Sequence, residues 1–334
     1  MYYYPIFLSI ILVNLMSILI NNWFMMWILM ELNLMIFIPL IIEKKNIKII
    51  SKISFKYFLI QSFGSMIFLF SILTNLMINN IMNMNLINFF MMTMMLIKLG
   101  MFPFQMWFIK MMNCISWDNC FILSTIQKMI PFMIMMNIMN KNLKIFMIIN
   151  ILNSIMSTIG GLNQNFIKPL LAYSSVNHMS WMMIVTLTME KLFFIYLIIY
   201  SINNFMIMKY FKKMNIMFIN KIFSMKSSYM TKMIMMMNIL SLGGIPPMIG
   251  FLIKWMSIFS MYNNIFLNFN MIILLFMSTI SVLYYLFLMI PSTLYFNFMP
   301  KNKIFKLNFK NFNNYITLFL YFTFSTLMFN NFIY

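Results

Sequence analysis

Four ionisable side chains stand inside long apolar runs of this sequence: Glu31, Lys98, Lys128 and Lys254. Each costs at least ~2 kcal/mol at bilayer depth unless it is solvated or paired. A lysine near the end of a span can snorkel to the interface, but Lys128 has about nine span residues on either side, or ~13 Å of helix. An amine held at that depth can load and release a proton, so the chemistry suggested is a proton relay. The plain alternatives are snorkelling or a structural ion pair, and for Glu31 simple neutralisation of Lys98. His178, in Ser174-Ser175-Val176-Asn177-His178, fits a relay member or a hydrogen-bonded structural histidine equally well.

The elements that must hold these residues follow from composition. Of 334 residues, 63% are hydrophobic and only 8% charged, against roughly 25% charged in a soluble domain. So few charges cannot cover a soluble globule, and so much apolar content excludes disorder. The formal net charge is +19, all 23 basic residues are lysines, and there are 47 Met, 39 Phe and a single Ala, Ala172. That skew fits an AT-rich gene read with a code in which ATA is Met, so Met runs such as 233–237 are apolar filler rather than copper ligands. Two cysteines, Cys114 and Cys120, exclude an iron–sulfur or zinc framework in this chain and read as unpaired packing residues. No glycine-rich nucleotide loop is present. The lysines lie in loops between spans, where membrane topology explains them better than nucleic acid does.

The fold class is all-α: a polytopic membrane protein of eleven spans, at roughly 3–20, 23–42, 56–78, 86–110, 119–138, 143–161, 170–188, 192–209, 232–260, 265–290 and 313–331. Two spans contain helix breakers, Lys98-Leu99-Gly100-Met101-Phe102-Pro103 and Leu242-Gly243-Gly244-Ile245-Pro246-Pro247, and are expected to be broken helices. They are the fourth and ninth, so equivalent helices run in opposite directions, as in inverted five-helix repeats. The expected units are 1–138, an inverted 139–290, and a loop with a last helix over 291–334. Alternate loops place 17 lysines on the side of the N-terminus and three on the other, which puts the N-terminus in the cytoplasm or matrix. Asp118 reads as the N-cap of the fifth span, and Glu43, Glu190 and the loop lysines as solvated or lipid-bound.

Around the four charges the sequence resembles a known family. Glu31-Leu32-Asn33, Lys98-Leu99-Gly100-Met101-Phe102-Pro103-Phe104, Gln127-Lys128-Met129-Ile130-Pro131, Gly160-Gly161-Leu162-Asn163-Gln164, Ala172-Tyr173-Ser174-Ser175 and Gly243-Gly244-Ile245-Pro246-Pro247, with Gly250-Phe251 and Lys254-Trp255, look like the motifs of NADH:ubiquinone oxidoreductase chain 2, in order over roughly 23–260. The resemblance implies an antiporter-like subunit of mitochondrial respiratory complex I that translocates protons across the inner membrane. It implies that Glu31 pairs with Lys98, that Lys128 is the central relay lysine and that Lys254 is the distal one. No cofactor is expected in this chain; FMN, iron–sulfur clusters and ubiquinone belong to other subunits. Expected partners are chains 4L and 4, other small membrane-arm chains, and phospholipids, among them cardiolipin, at matrix-side lysines; nucleic acid is not one. The N-terminus is expected in the matrix and Tyr334 in the intermembrane space. A stand-alone cation/proton antiporter of the same fold and a non-conducting structural subunit remain the alternatives.

Overall fold

The computed structural model describes residues 3–42, 47–77, 84–139, 143–222, 229–261 and 265–298. These residues form α1 (Tyr3–Leu19), α2 (Trp23–Ile41), α3 (Ile47–Met77), α4 (Met84–Leu99), α5 (Gln105–Cys114), α6 (Trp117–Ser124), α7 (Met129–Met139), α8 (Leu143–Leu162), α9 (Ile167–Thr188), α10 (Glu190–Met214), α11 (Tyr229–Gly243), α12 (Ile249–Met261) and α13 (Ile265–Phe298). The one bridge between extended residues among them pairs Phe166 with Phe218. Helical segments occupy the places of the first ten expected spans; the eleventh, with Lys301, Lys303, Lys306 and Lys310, lies outside the described residues. Among the described residues, six helical stretches are long and apolar enough to cross a membrane: Trp23–Ile41, Ile50–Asn75, Trp117–Ile138, Leu143–Leu162, Glu190–Met214 and Leu267–Ile290.

Helix α9 is the centre of the molecule. Every residue from Ile167 to Thr186 except Tyr173 is buried, and α9 touches α5, α7, α8, α10, α12 and α13. Its interior is polar as well as apolar. The hydroxyls of Ser174, Ser175, Ser180 and Thr186 donate to carbonyls three residues earlier in their own helix, which lets them sit in an apolar interior. Large apolar side chains cover the outside, among them Phe63, Met66, Phe259, Phe269 and Phe276. Such a surface is stable against hydrocarbon, not water.

Both expected breaks are present. α4 ends at Leu99, Gly100 takes φ 66°, and α5 begins at Gln105. α11 ends at Gly243, Gly244 takes φ 77°, and α12 begins at Ile249. Left-handed φ is costly for residues with a Cβ, which explains glycine at both corners. In each break the second helix starts five residues after that glycine.

A third break was not expected. The fifth span is interrupted at Thr125, where α6 stops, and a 3-10 turn over Ile126–Lys128 leads into α7. Pro131 falls in the first turn of α7, where its missing N–H leaves no bond unmade within α7. Upstream, that missing donor releases the Gln127 carbonyl and with it the requirement that 125–128 be α-helical. The side chain of Thr125 donates to the Phe121 carbonyl at 2.7 Å and closes the end of α6.

Candidate functional site

The first break carries Lys98 at the penultimate position of α4, buried among α2, α3 and the break. Gly64 of α3 makes room for it: a Cβ there would lie 3.3 Å from Lys98 Cγ. The Lys98 Nζ lies 3.4 Å from Met30 Sδ. Glu31, the next residue, is within electrostatic reach of Lys98 but forms no ion pair with it; the ion pair among the described residues joins Lys212 and Asp118. Glu31 Oε1 is buried and makes no hydrogen bond to the protein.

The backbone groups released by this break find protein partners. Asn153 of α8 accepts from the Phe102 N–H and from Gln105 Nε2, both at 3.0 Å, and donates to the Val176 carbonyl of α9 at 3.0 Å. Trp107 Nε1 donates to the Ile97 carbonyl at 3.0 Å and Gln61 Nε2 to the Lys98 carbonyl at 3.4 Å. Asn153 therefore ties the break to the central helix. It was missed in the sequence, where asparagine is common and nothing marks this one. Asn153→Leu takes the acceptor from the Phe102 N–H and from Gln105 Nε2, at about 1–3 kcal/mol each. A lower thermal midpoint of the assembled complex is the expected reading.

Lys128 ends the 3-10 turn. It is buried, its Nζ has no hydrogen-bond partner in the protein, and it lies 4.8 Å from the centroid of the Phe108 ring, close enough for a cation–π attraction. The neighbouring Gln127 donates to Asn33 Oδ1 at 2.9 Å and so fixes the turn to α2. Lys98 and Lys128 share a cavity of about 20 Å³, lined also by Tyr57, Gln61, Trp107 and Gln127. That volume holds about one water.

In the second half, Lys254 of α12 reaches back over the break. Its Nζ donates to the Gly243 carbonyl at 2.8 Å and lies 5.9 Å from the Trp181 ring centroid. An ammonium on the last carbonyls of a helix meets both its free acceptors and its dipole. A Cβ at Gly244 would come within 2.8 Å of Lys254 Cδ, so glycine there serves the lysine as well as the turn. His178 of α9 lies between the two halves. Its Nδ1 is 2.9 Å from Tyr196 Oη, its ring is 5.0 Å from that of Tyr200, and both Lys128 and Lys254 act on it electrostatically. The structure thus brings four expected residues, Lys98, Lys128, His178 and Lys254, into one buried row, with Glu31 beside its first member.

α12 is held against α11 by Gly250. A Cβ there would lie 1.6 Å from the Ser241 carbonyl oxygen. No rotamer relieves a clash with backbone, so Gly250→Ala forces the two half-helices apart, at about 3 kcal/mol or more. The measurable result is little or no assembled complex containing the variant.

Other expectations are corrected. Asp118 does not cap its helix: Ser116 holds the N-cap position of α6, and Asp118, in the first turn, pairs with Lys212 of α10. Lys168 and Lys232 are buried rather than solvated. Lys168 donates to the Ile115 carbonyl and lies 5.2 Å from the Trp117 ring centroid. Glu43 lies outside the described residues; Glu190 is exposed. Neither Cys114 nor Cys120 forms a disulfide among the described residues.

A buried row of amines threaded between two broken helices defines an antiporter-like membrane protein. The family model described as NADH:quinone oxidoreductase/Mrp antiporter, transmembrane, matches residues 20–283. The chain is 37% identical over 307 residues to NADH-ubiquinone oxidoreductase chain 2 of Anopheles gambiae, covering 88% of this chain and 85% of that one. Among solved structures it superposes on a chain of respiratory complex I from Thermus thermophilus with bound aureothin, with TM-score 0.71 at 18% identity, covering 81% of this chain and 66% of that one. It also superposes on a chain of the Mrp complex from Dietzia sp. DQ12-45-1b, with TM-score 0.75 at 14% identity, covering 86% and 60%. The chain belongs to the NADH-ubiquinone oxidoreductase chain 2 family.

Proposed function

We propose that this chain is a proton-translocating subunit of the membrane arm of respiratory complex I in the mitochondrial inner membrane. The observation that carries the proposal is the row Lys98–Lys128–His178–Lys254, buried through the centre of the protein with one carboxylate, Glu31, at its first member. Lys128 makes no hydrogen bond to the protein, so an apolar side chain would meet any packing need there more cheaply. Redox energy comes from NADH oxidation and ubiquinone reduction in other subunits, which hold the FMN and iron–sulfur clusters. The neighbours are chains 4L and 4 and smaller membrane-arm chains. The test is the number of protons moved per NADH oxidised when Lys254 is replaced by Met at the matching position of a genetically tractable bacterial relative. A reduced ratio in an assembled complex supports the role, and an unchanged ratio removes it.

The two breaks support an organisation in two inverted five-helix units, 1–138 and 139–290, followed by 291–334. Their glycines, their helix restarts five residues on, and a lysine ten residues on (Lys110 and Lys254) fall in the same register. In eleven spans with the N-terminus in the matrix, Tyr334 faces the intermembrane space. A tag at that end is then cleaved by protease added to intact mitoplasts, and a protected tag overturns the orientation or the span count.

On the lysine-rich side, a cleft of about 1030 Å³ is lined by Lys209, Lys212 and Lys213 with Asp118, and by apolar walls including Phe7 and Phe205. Three ammonium groups against one carboxylate favour an anionic phospholipid such as cardiolipin. The likeness to the Mrp complex favours a second reading, a cation/proton antiporter acting alone. Sodium or potassium flux from the purified chain without partners would select it.

A further inference from the structure

Phe108 lies at the junction of the first break and Lys128. It belongs to α5, the half-helix that follows the break, and it is buried. Its backbone end packs on the corner of the break: a Cβ at Gly100 would lie 2.6 Å from Phe108 Cβ. Trp107, the preceding residue, meets the Phe108 ring edge to face with centroids 5.9 Å apart. Trp107 is itself tied through Nε1 to the Ile97 carbonyl near the end of α4. The break therefore sets where this ring stands. The face of the ring meets Lys128, whose Nζ lies 4.8 Å from the centroid and has no hydrogen-bond partner in the protein. Phe108 also lines the small cavity that Lys98 and Lys128 share.

In a chain that is 18% aromatic, rings fall beside lysines by chance, so proximity alone means little. Lys209 lies 5.3 Å from the Phe205 centroid and Lys221 5.2 Å from that of Phe218, but both lysines are exposed. Lys168 over Trp117 and Lys254 over Trp181 are buried, yet each also donates to a backbone carbonyl. Of these five lysines, Lys128 is the buried one that no protein acceptor meets, and its ring is the nearest of the five. The chemistry suits an amine that must change charge. An aromatic face attracts an ammonium through its quadrupole and offers a neutral amine no such attraction. A carboxylate would hold the ammonium more tightly at this depth, and would be left as an unpaired buried charge when the proton departs. A ring leaves nothing uncompensated.

We propose that Phe108 is a positioning residue of the relay: its ring face seats the ammonium of Lys128, and its packing on Gly100 ties that seat to the first break. The inference rests on the proton-translocating role proposed above, and its test separates the two. The test changes the ring's electrons and keeps its shape. At the matching position of a bacterial relative that has phenylalanine there, the residue is replaced by phenylalanines carrying one, two and three ring fluorines. Fluorine is little larger than hydrogen, so the packing on Gly100 and Trp107 survives, while each fluorine weakens the attraction of the face for a cation. In the assembled complex, redox-coupled pumping should fall stepwise with fluorine content, by about fivefold at three fluorines, with the thermal midpoint unchanged. Phe108→Leu removes the face altogether and should slow pumping at least as much. If Phe108 only fills space, the fluorinated series pumps at the native rate and only the leucine variant changes, through a lower thermal midpoint. That result overturns the proposal. If the leucine variant does not assemble, the fluorinated series decides alone. Lys128→Met distinguishes the levels. Normal pumping in it means that the relay itself is wrong, whereas lost pumping in it beside a native-like fluorinated series means that only the seat is wrong.

Discussion

Lys128→Met is expected to give a complex that assembles and retains its fold but loses redox-coupled proton translocation by at least about tenfold, or ~1.4 kcal/mol on the limiting step. The geometry makes this substitution unusually clean. Lys128 Nζ has no hydrogen-bond partner in the protein to be orphaned, and its nearest favourable contact is the Phe108 ring at 4.8 Å. Methionine has nearly the same length, and its sulfur also packs well against aromatic rings. Removing an unbonded buried amine should therefore cost no stability, and the thermal midpoint should hold or rise. A structural lysine would give the opposite pattern, with lower stability and pumping per assembled complex unchanged. Lys128→Arg supplies the second arm. It keeps the positive charge beside the cavity shared with Lys98, but guanidinium does not release its proton. Loss of pumping in both variants identifies proton exchange, rather than charge or bulk, as what the position supplies. Full pumping in the Met variant would end the relay role.

How much of this was legible beforehand depends on how local the cause is. Gly100 with Pro103 and Gly244 with Pro246-Pro247 announce their breaks because backbone freedom and a missing N–H act at the residue itself. The lysines were legible because a charge in an apolar run has few innocent explanations. Asn153 was not, since its three hydrogen bonds exist only once α8 lies between the first break and α9. The interruption at Thr125 was hidden for a related reason: Pro131 marks the loss of a carbonyl's partner, but not how far upstream the helix gives way. Lys168 was misread because its place in a connection suggests water, whereas the Ile115 carbonyl and the Trp117 ring receive it inside. The neighbourhood of Lys98 was read correctly to within one residue. On a helix that one residue is about 100° of rotation, and it places Met30 sulfur rather than the Glu31 carboxylate against the ammonium.

That offset sharpens the expectation for Glu31→Gln. The carboxylate has an unpartnered buried oxygen and acts on Lys98 through space without contacting it. A carboxylate within electrostatic reach of a buried ammonium favours the charged form of both. Glutamine keeps the shape and removes that attraction, so the proton on Lys98 loses its main electrostatic support while the surrounding helices need not move. Coupled turnover should fall by about tenfold or more, or ~1.4 kcal/mol, with assembly intact. Met30→Leu is the companion variant. It removes the sulfur that touches Lys98 Nζ but leaves the carboxylate, and should turn over nearly normally if charge is what matters. If Glu31 merely neutralises Lys98, the outcome reverses. Glu31→Gln would then leave an uncompensated buried ammonium, the yield and thermal midpoint of the complex would drop, and each surviving complex would pump at the full ratio. Measuring protons per NADH together with the thermal midpoint in the same preparation separates the two, because a coupling role moves the first quantity and a neutralising role moves the second.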